Sequence, residues 1–211
     1  MKCIHSVLCV LAIVISTTCV RMDAQTGSTI PEAVAGGGSW VFPTAPSGVL
    51  PDSMSSVLRR TDAIVSGIVG QPGPSYLSED QRDVYTDYSL QSPTVHYQDV
   101  LEASPVPGAK PSVTVTVRGG AITVNGAPFT AEYKRQPRLV PGTEYLFLLR
   151  KTGATYRLAD DYCGLFATAD RRFTPVFESS IFAVEYREMS AQAATEKIVA
   201  LKHALRAERK K

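Results

Sequence analysis

Histidine and cysteine are scarce in this chain of 211 residues, which contains three histidines and four cysteines. Three of the cysteines fall within the first 19 residues, so only Cys163 lies in the body of the sequence. Zinc sites need three or four such ligands close together, and no CxxC, HxxxH or HExxH spacing occurs. Gly119-Gly120 is not followed by the lysine of a phosphate-binding loop. We therefore predict no catalytic, metal-binding or cofactor-binding residues, and a protein that is not an enzyme.

The chain also lacks an apolar run of the ~20 residues needed to cross a bilayer. The run VLCVLAIVI has nine apolar residues and follows the basic start MKCIHS. This order is typical of a secretory signal peptide over residues 1–24, with cleavage after Ala24 although Met22 is large for the −3 position. The alternative is a lipoprotein anchored at Cys19, whose preceding sequence is a poor lipid-attachment signal. We predict an exported protein, periplasmic or extracellular, with no transmembrane segment in the mature chain.

Cleavage after residue 24 would leave Cys163 as the single thiol, which excludes an intramolecular disulfide. The fold must then depend on an apolar core. Residues 25–55 are rich in Gly, Pro, Ser and Thr, which predicts a disordered linker. Trp40 within this segment either anchors it on the folded domain or forms a short partner-binding motif.

Short β-strands are predicted from residue 56 onward. Ser53 or Ser55 caps a helical turn before the apolar run DAIVSGIVG, which predicts a buried strand. QPGPSYLSEDQRD at 71–83 predicts a turn region, and Asn125-Gly126 predicts a hairpin. Further strands are indicated by the shared face of Val84, Thr86, Tyr88 and Leu90, by the alternation of SVTVTVR at 112–118, and by PGTEYLFLLR at 141–150. Together these elements favour a mainly β fold, an OB-like antiparallel β-barrel rather than a βαβ protein.

One amphipathic helix is predicted over residues 190–207. Ala194, Ile198, Leu201 and Leu205 recur at helical spacing, while Lys197, Lys202, Arg206 and Glu208 occupy the other sides. The apolar stripe covers fewer than two heptads, so docking on the barrel is favoured over a coiled coil. The predicted domains are therefore the signal peptide 1–24, the linker 25–55, the barrel 56–180, and a helix with a basic tail over 181–211.

The runs TDAIVSGIVG, YTDYSLQSPTVHYQDVLEA, VTVTVRGG, LVPGTEYLFLLR and YRLADDYCGLFATADRRFTPV resemble a pattern of uncharacterised exported bacterial proteins. Their barrels are similar to the OB-fold of the netrin and tissue-inhibitor-of-metalloproteinase (NTR-like) group. The resemblance covers residues 57–177 and implies that fold. In those inhibitors an amino-terminal cysteine, held by disulfides, binds the zinc of the target. Here the predicted mature chain begins at Gln25 and has one cysteine, so that mechanism does not transfer.

Cys163 lies in RLADDYCGLF, where it is a candidate nucleophile, metal ligand, intermolecular disulfide partner or core residue. The adjacent Asp160 and Asp161 would raise a thiol pKa, and a base would have to come from His203 on the charged helix. We therefore predict that the two aspartates form a turn and that Cys163, Leu165 and Phe166 re-enter the core.

The acidic and basic clusters have simple interpretations. Asp160, Asp161 and Asp170 lack calcium-loop spacing and predict a solvated turn. Glu79, Asp80, Asp83 and Asp87 suggest the paired carboxylates of a glycosidase, but such pairs are common on loops and do not predict that chemistry. His96 is predicted as a strand residue with one hydrogen bond. Single-stranded nucleic-acid binding would use Arg59-Arg60, Lys134-Arg135, Arg138, Arg150-Lys151 and Arg171-Arg172 with Tyr133 and Tyr145. The net charge of +2 and the export signal argue against it.

The sequence therefore predicts an exported β-barrel domain that binds a protein or envelope component, without a cofactor and without nucleic acid. The alternatives are a thiol- or carboxylate-dependent hydrolase and an OB-fold binder of single-stranded nucleic acid.

Overall fold

A computed structural model describes residues 29–35, 41–42, 51–99, 112–133, 138–160, 163–168, 172–176, 185–186 and 189–209. The predicted signal peptide, Trp40, Asp161 and Asp170 lie outside these residues. The helices are α1 (Ile30–Ala35), α2 (Met54–Leu58) and α3 (Ala191–Glu208). The strands are β1 (Val41–Phe42), β2 (Ala63–Leu77), β3 (Val84–Gln98), β4 (Val113–Arg118), β5 (Gly120–Val124), β6 (Ala127–Tyr133), β7 (Glu144–Thr152), β8 (Thr155–Leu158), β9 (Leu165–Ala167) and β10 (Thr174–Pro175). The predicted mainly β fold with a carboxy-terminal helix is confirmed.

The strands form a seven-stranded and a three-stranded sheet. The larger sheet has the order β10-β9-β7-β2-β3-β4-β8, and β8 pairs with β7 as well as with β4. The pairings therefore run from β7 through β2, β3, β4 and β8 back to β7. All of them are antiparallel except β4 with β8. The smaller sheet has the order β1-β6-β5, with the predicted Asn125-Gly126 turn joining β5 to β6.

The second half of β2 corrects the sequence prediction, because residues 71–77 continue the strand instead of forming a turn. The prolines and glycines of QPGPSYL suggested the turn. β2 pairs with β3 along its length and with β7 only over Ala63–Ile68, and Pro72 lies between two register shifts of the β2–β3 ladder. A proline is tolerated at such an irregularity, since its missing N–H removes no required ladder bond. The chain reverses only at residues 79–82.

The amino-terminal segment contains α1 within the residues predicted as a linker. Glu32 Oε2 accepts a hydrogen bond of 2.7 Å from the Thr29 N–H, which satisfies one free donor at the helix start. Ile30 is buried against Val84 and Phe129 in a small cluster beneath the β5–β6 hairpin. The T-x-x-E spacing of Thr29 and Glu32 was the available sequence signal for this helix.

Helix α3 packs its apolar stripe on the sheet, as predicted. Ala194, Ile198 and Leu205 are buried in one cluster with Ile64 and Leu148. Ser190 caps the helix by accepting a hydrogen bond from the Ala193 N–H, and Ser53 caps α2 in the same way. The helix therefore closes the face of the sheet that bears Ile64.

Lys202 corrects the helix prediction, because it lies on the buried side of α3 rather than among the solvent-facing charges. Lys202 is 4% exposed. Its Nζ donates hydrogen bonds to the carbonyl oxygens of Leu58 and Thr61 and to Asp99 Oδ2. Burial of this ammonium is compatible with the fold because all three of its donors have acceptors.

Candidate functional site

The bend before β9 contains Cys163. Asp160 organises the bend, since its Oδ1 accepts a 3.0 Å hydrogen bond from the Cys163 N–H and its carbonyl oxygen accepts one from the Gly164 N–H. Cys163 is 4% exposed, and Leu165 and Phe166 are also buried. The predicted return of these three residues to the core is confirmed. Cys163 therefore contributes packing at this position.

The two histidines beyond residue 24 lie on different elements. His96 on β3 has its Nε2 within 2.9 Å of Ser66 Oγ, which confirms the predicted hydrogen-bonded strand residue. Burial lowers the pKa of His96 below its usual value. His203 is exposed on α3 and contacts the Tyr97 ring edge-on, with 5.1 Å between ring centroids. Both imidazoles therefore have structural contacts.

The acidic residues between β2 and β3 do not converge. Glu79 and Asp80 are exposed in the turn, as predicted, whereas Asp83 accepts a 3.0 Å hydrogen bond from Tyr133 Oη. Across the described residues, no group of three His, Cys, Asp or Glu side chains is placed to hold a metal ion. These carboxylates act in turns and strand contacts.

Three of the arginines that nucleic-acid binding would use have carboxylate partners. The pairs are Arg59–Glu208, Arg60–Asp160 and Arg138–Glu132. Tyr133 and Tyr145, considered as stacking surfaces for bases, are 8% and 4% exposed. Their rings are therefore hidden from a ligand. Lys134, Arg135 and Arg171 lie outside the described residues.

Four cationic side chains from β4, β7 and β8 line one open concave surface of about 420 Å³. They are Arg118, Arg150, Lys151 and Arg157, and the other residues lining the surface are Tyr85, Thr116, Thr152, Leu158 and Ala159. We call this surface the cationic face. It is the candidate functional site, because same-sign charges around a concavity raise the local concentration of anions.

Strand pairing aligns a row of four residues across β3, β4, β8 and β7, and three of the four line the cationic face. Asp87 on β3 pairs with Thr116 on β4, and Thr116 pairs with Arg157 on β8. Arg157 in turn pairs with Arg150 on β7. Each of four strands thus contributes one side chain, and the row ends in two guanidinium groups.

Arg157 is held in place by Tyr85. Its guanidinium carbon lies 4.2 Å from the centroid of the Tyr85 ring, and its Nη1 donates a 3.2 Å hydrogen bond to Tyr85 Oη. Tyr85 is only 4% exposed, so its buried ring is a rigid surface on which the Arg157 guanidinium packs. The Nε of Arg157 is buried and has no hydrogen-bond partner.

The nearby carboxylates are used by other groups. Asp83 forms an ion pair with Arg118 at 3.4 Å. Asp87 Oδ1 accepts hydrogen bonds from Thr116 Oγ1 at 2.5 Å and from Tyr76 Oη at 3.1 Å. Within the described part of the chain, neither Arg150 nor Arg157 has a carboxylate within 4.0 Å. Among the described residues, the cationic face therefore has an excess of positive charge around Arg150 and Arg157.

The sequence indicated only part of this site. Arg150-Lys151 was singled out as a basic pair, but Arg118 and Arg157 were not. Arg157 stands next to Arg150 because TYRL folds back after the turn at residues 153–154. Its position beside Thr116 depends on a parallel β4–β8 pairing, which no local pattern encodes.

A second groove of about 490 Å³ adjoins the cationic face and shares Arg118 with it. This groove lies between β4 and the β5–β6 hairpin, and the Glu132–Arg138 ion pair forms part of its wall. Its charges are mixed, so it lacks the single sign that characterises the cationic face.

Comparison of the chain with protein-family models, curated proteins and solved structures found no significant match. Among the helices that the structure describes, none combines the length and apolarity needed to span a membrane.

Proposed function

We propose that this protein is an exported, non-enzymatic binding domain whose larger sheet forms an OB-like barrel, and that its cationic face receives a protein or envelope component. Support for the barrel comes from the five strands β7, β2, β3, β4 and β8, whose pairings return to β7. An OB-fold is a five-stranded, partly open barrel. The same pattern supports the proposed relationship to exported proteins with NTR-like barrels.

The observation that carries the binding proposal is the cross-strand pair of Arg150 and Arg157 on a concave surface. Rigid strands, rather than loops, present both side chains, which favours a defined binding geometry. His96, His203 and Cys163 have structural contacts, and the acidic residues between β2 and β3 do not converge, so binding accounts for the site better than hydrolysis does.

We expect Arg150→Glu to reduce retention of the bound component at least tenfold, because it reverses a charge within the cationic face. The purified protein is immobilised and exposed to an envelope fraction of its own source, and bound material is quantified by mass spectrometry. Arg172→Glu is the matched control, since Arg172 is exposed and lies outside the cationic face.

Equal retention by the wild type and Arg150→Glu would contradict the binding role of this face. A short single-stranded DNA provides the competing test. Affinity for it that rises strongly at low salt, and falls in Arg150→Glu, would favour a nucleic-acid binder instead.

We also expect export with cleavage after Ala24. Amino-terminal sequencing of the protein from the periplasm or medium should begin at Gln25. Leu11→Arg places a charge in the apolar run and should leave the protein uncleaved inside the cell. An uncleaved wild-type protein in the cytoplasm would exclude export.

A further inference from the structure

We propose that Arg150 and Arg157 form a subsite for a phosphomonoester, a tetrahedral dianion, within the cationic face. This inference rests on the proposed binding function and specifies the chemistry of the group that is bound.

The register of β7 and β8 places Arg150 and Arg157 directly opposite each other, so their side chains leave the same face of the strand pair. Like charges at such positions destabilise an antiparallel pair. Arg60 has a carboxylate partner in Asp160, whereas Arg150 and Arg157 lie opposite each other without a carboxylate partner among the described residues. An anion between them would convert a repulsive pair into two attractive contacts.

The hydrogen-bonding capacity of Arg157 supports an external acceptor. A guanidinium has five N–H donors, and within the described residues only Nη1 has an acceptor, Tyr85 Oη. The half-buried position over Tyr85 restrains the group before a ligand arrives, which reduces the entropic cost of binding. Arginine's planar donors suit phosphate oxygens in a bidentate arrangement.

The local charge balance favours a dianion over a carboxylate. Asp83 compensates Arg118, and Asp87 is hydrogen-bonded to Thr116 and Tyr76. The charges of Arg150 and Arg157 on this strand pair are thereby matched by a ligand with two negative charges. A phosphomonoester has about that charge at neutral pH.

The test measures the unfolding temperature of the purified protein in 20 mM inorganic phosphate or sodium chloride at matched ionic strength. With a Kd near 1 mM we expect phosphate to raise it by about 4 to 7 °C. Arg150→Ala should lose this response and show at least tenfold weaker phosphate binding in calorimetry. Arg157→Lys retains the charge but not the planar donors, and should also weaken binding at least tenfold.

Arg150→Ala has a second signature, because it relieves the like-charge pair. Its unfolding temperature without phosphate should equal or exceed that of the wild type, which separates a binding role from a structural one. Arg172→Ala should retain the full phosphate response. A lower unfolding temperature of Arg150→Ala in chloride, or an unchanged phosphate response, would overturn the proposal.

Two further probes identify the source of the phosphate. Binding of glycerol phosphate supports a soluble ligand, and binding only to vesicles containing phosphatidic acid supports a lipid headgroup. If a single-stranded oligonucleotide binds with the same affinity per phosphate as inorganic phosphate, the subsite does not select a phosphomonoester and the proposal is overturned. If an envelope component is retained through Arg150 but phosphate has no effect, the subsite is wrong while the proposed function stands.

Discussion

Lys202→Met is expected to lower the free energy of unfolding by about 3 kcal/mol. Methionine preserves most of the apolar stem, so the change isolates the ammonium group. The variant leaves the Thr61 carbonyl and one oxygen of Asp99 without the bonds that Nζ donates at 2.5 and 2.9 Å. We place the effect at the lower end of the range for broken buried pairs, because the Asp99 side chain is 27% exposed and can be rehydrated. Urea denaturation of the wild type and Lys202→Met measures this difference in the free energy of unfolding.

Lys197→Met is the matched control on the same helix. Lys197 forms an ion pair with Glu185 in which both side chains are about half exposed, so its removal should cost less than about 1 kcal/mol. Similar losses in the two variants would show that Lys202 contributes no more than a surface charge.

The pH dependence provides an independent check of the Lys202 contacts. Burial alone would raise the pKa of Asp99, but the Tyr97 hydroxyl, Lys202 and Arg206 outweigh it and lower that pKa. A carboxyl with a lowered pKa stabilises the fold above its unfolded pKa, and this contribution disappears as the pH falls through the folded value. The difference between wild type and Lys202→Met should therefore shrink in acid.

Lys202 also shows which features of this helix the sequence pattern does not predict. The spacing of Ala194, Ile198 and Leu205 predicted the helix and its buried stripe, because apolar periodicity is a local property. A lysine beside that stripe was assigned to solvent, since its burial depends on an acceptor 103 residues away. Sequence periodicity does not identify such long-range partners.

The strands show the same contrast, because local sequence patterns predicted some of them and long-range pairing determined the others. Alternation predicted Val113, Val115 and Val117 on one face, and all three are buried. The prolines at 72 and 74 concealed the second half of β2, because their tolerance depends on which edges of the strand are paired. The cationic face contains both kinds of residue. Arg150 belongs to a basic pair that is recognisable in the sequence, whereas Arg157 lies beside it only because β7 and β8 pair.

Gly164→Ala is expected to lower the free energy of unfolding by about 2 to 3 kcal/mol. A Cβ at this position would lie 2.7 Å from the Asp160 carbonyl oxygen and 3.2 Å from that of Leu148. Both are backbone atoms, so relief requires the bend itself to open and to move away from β7. That movement weakens the 2.8 Å hydrogen bond from the Leu148 N–H to the Gly164 carbonyl oxygen.

Gly73→Ala is the matched control, since its Cβ would meet one backbone oxygen at 3.3 Å and should cost less than about 1 kcal/mol. Cys163 supplies a local readout beside Gly164, because its thiol is nearly inaccessible in the native state. A loss of 2 to 3 kcal/mol in the free energy of opening should accelerate thiol labelling roughly 30- to 150-fold. Wild type and variant should react at equal rates in denaturant. Rapid labelling of the native wild type would instead contradict the buried position of Cys163, and with it the steric basis of the Gly164 prediction.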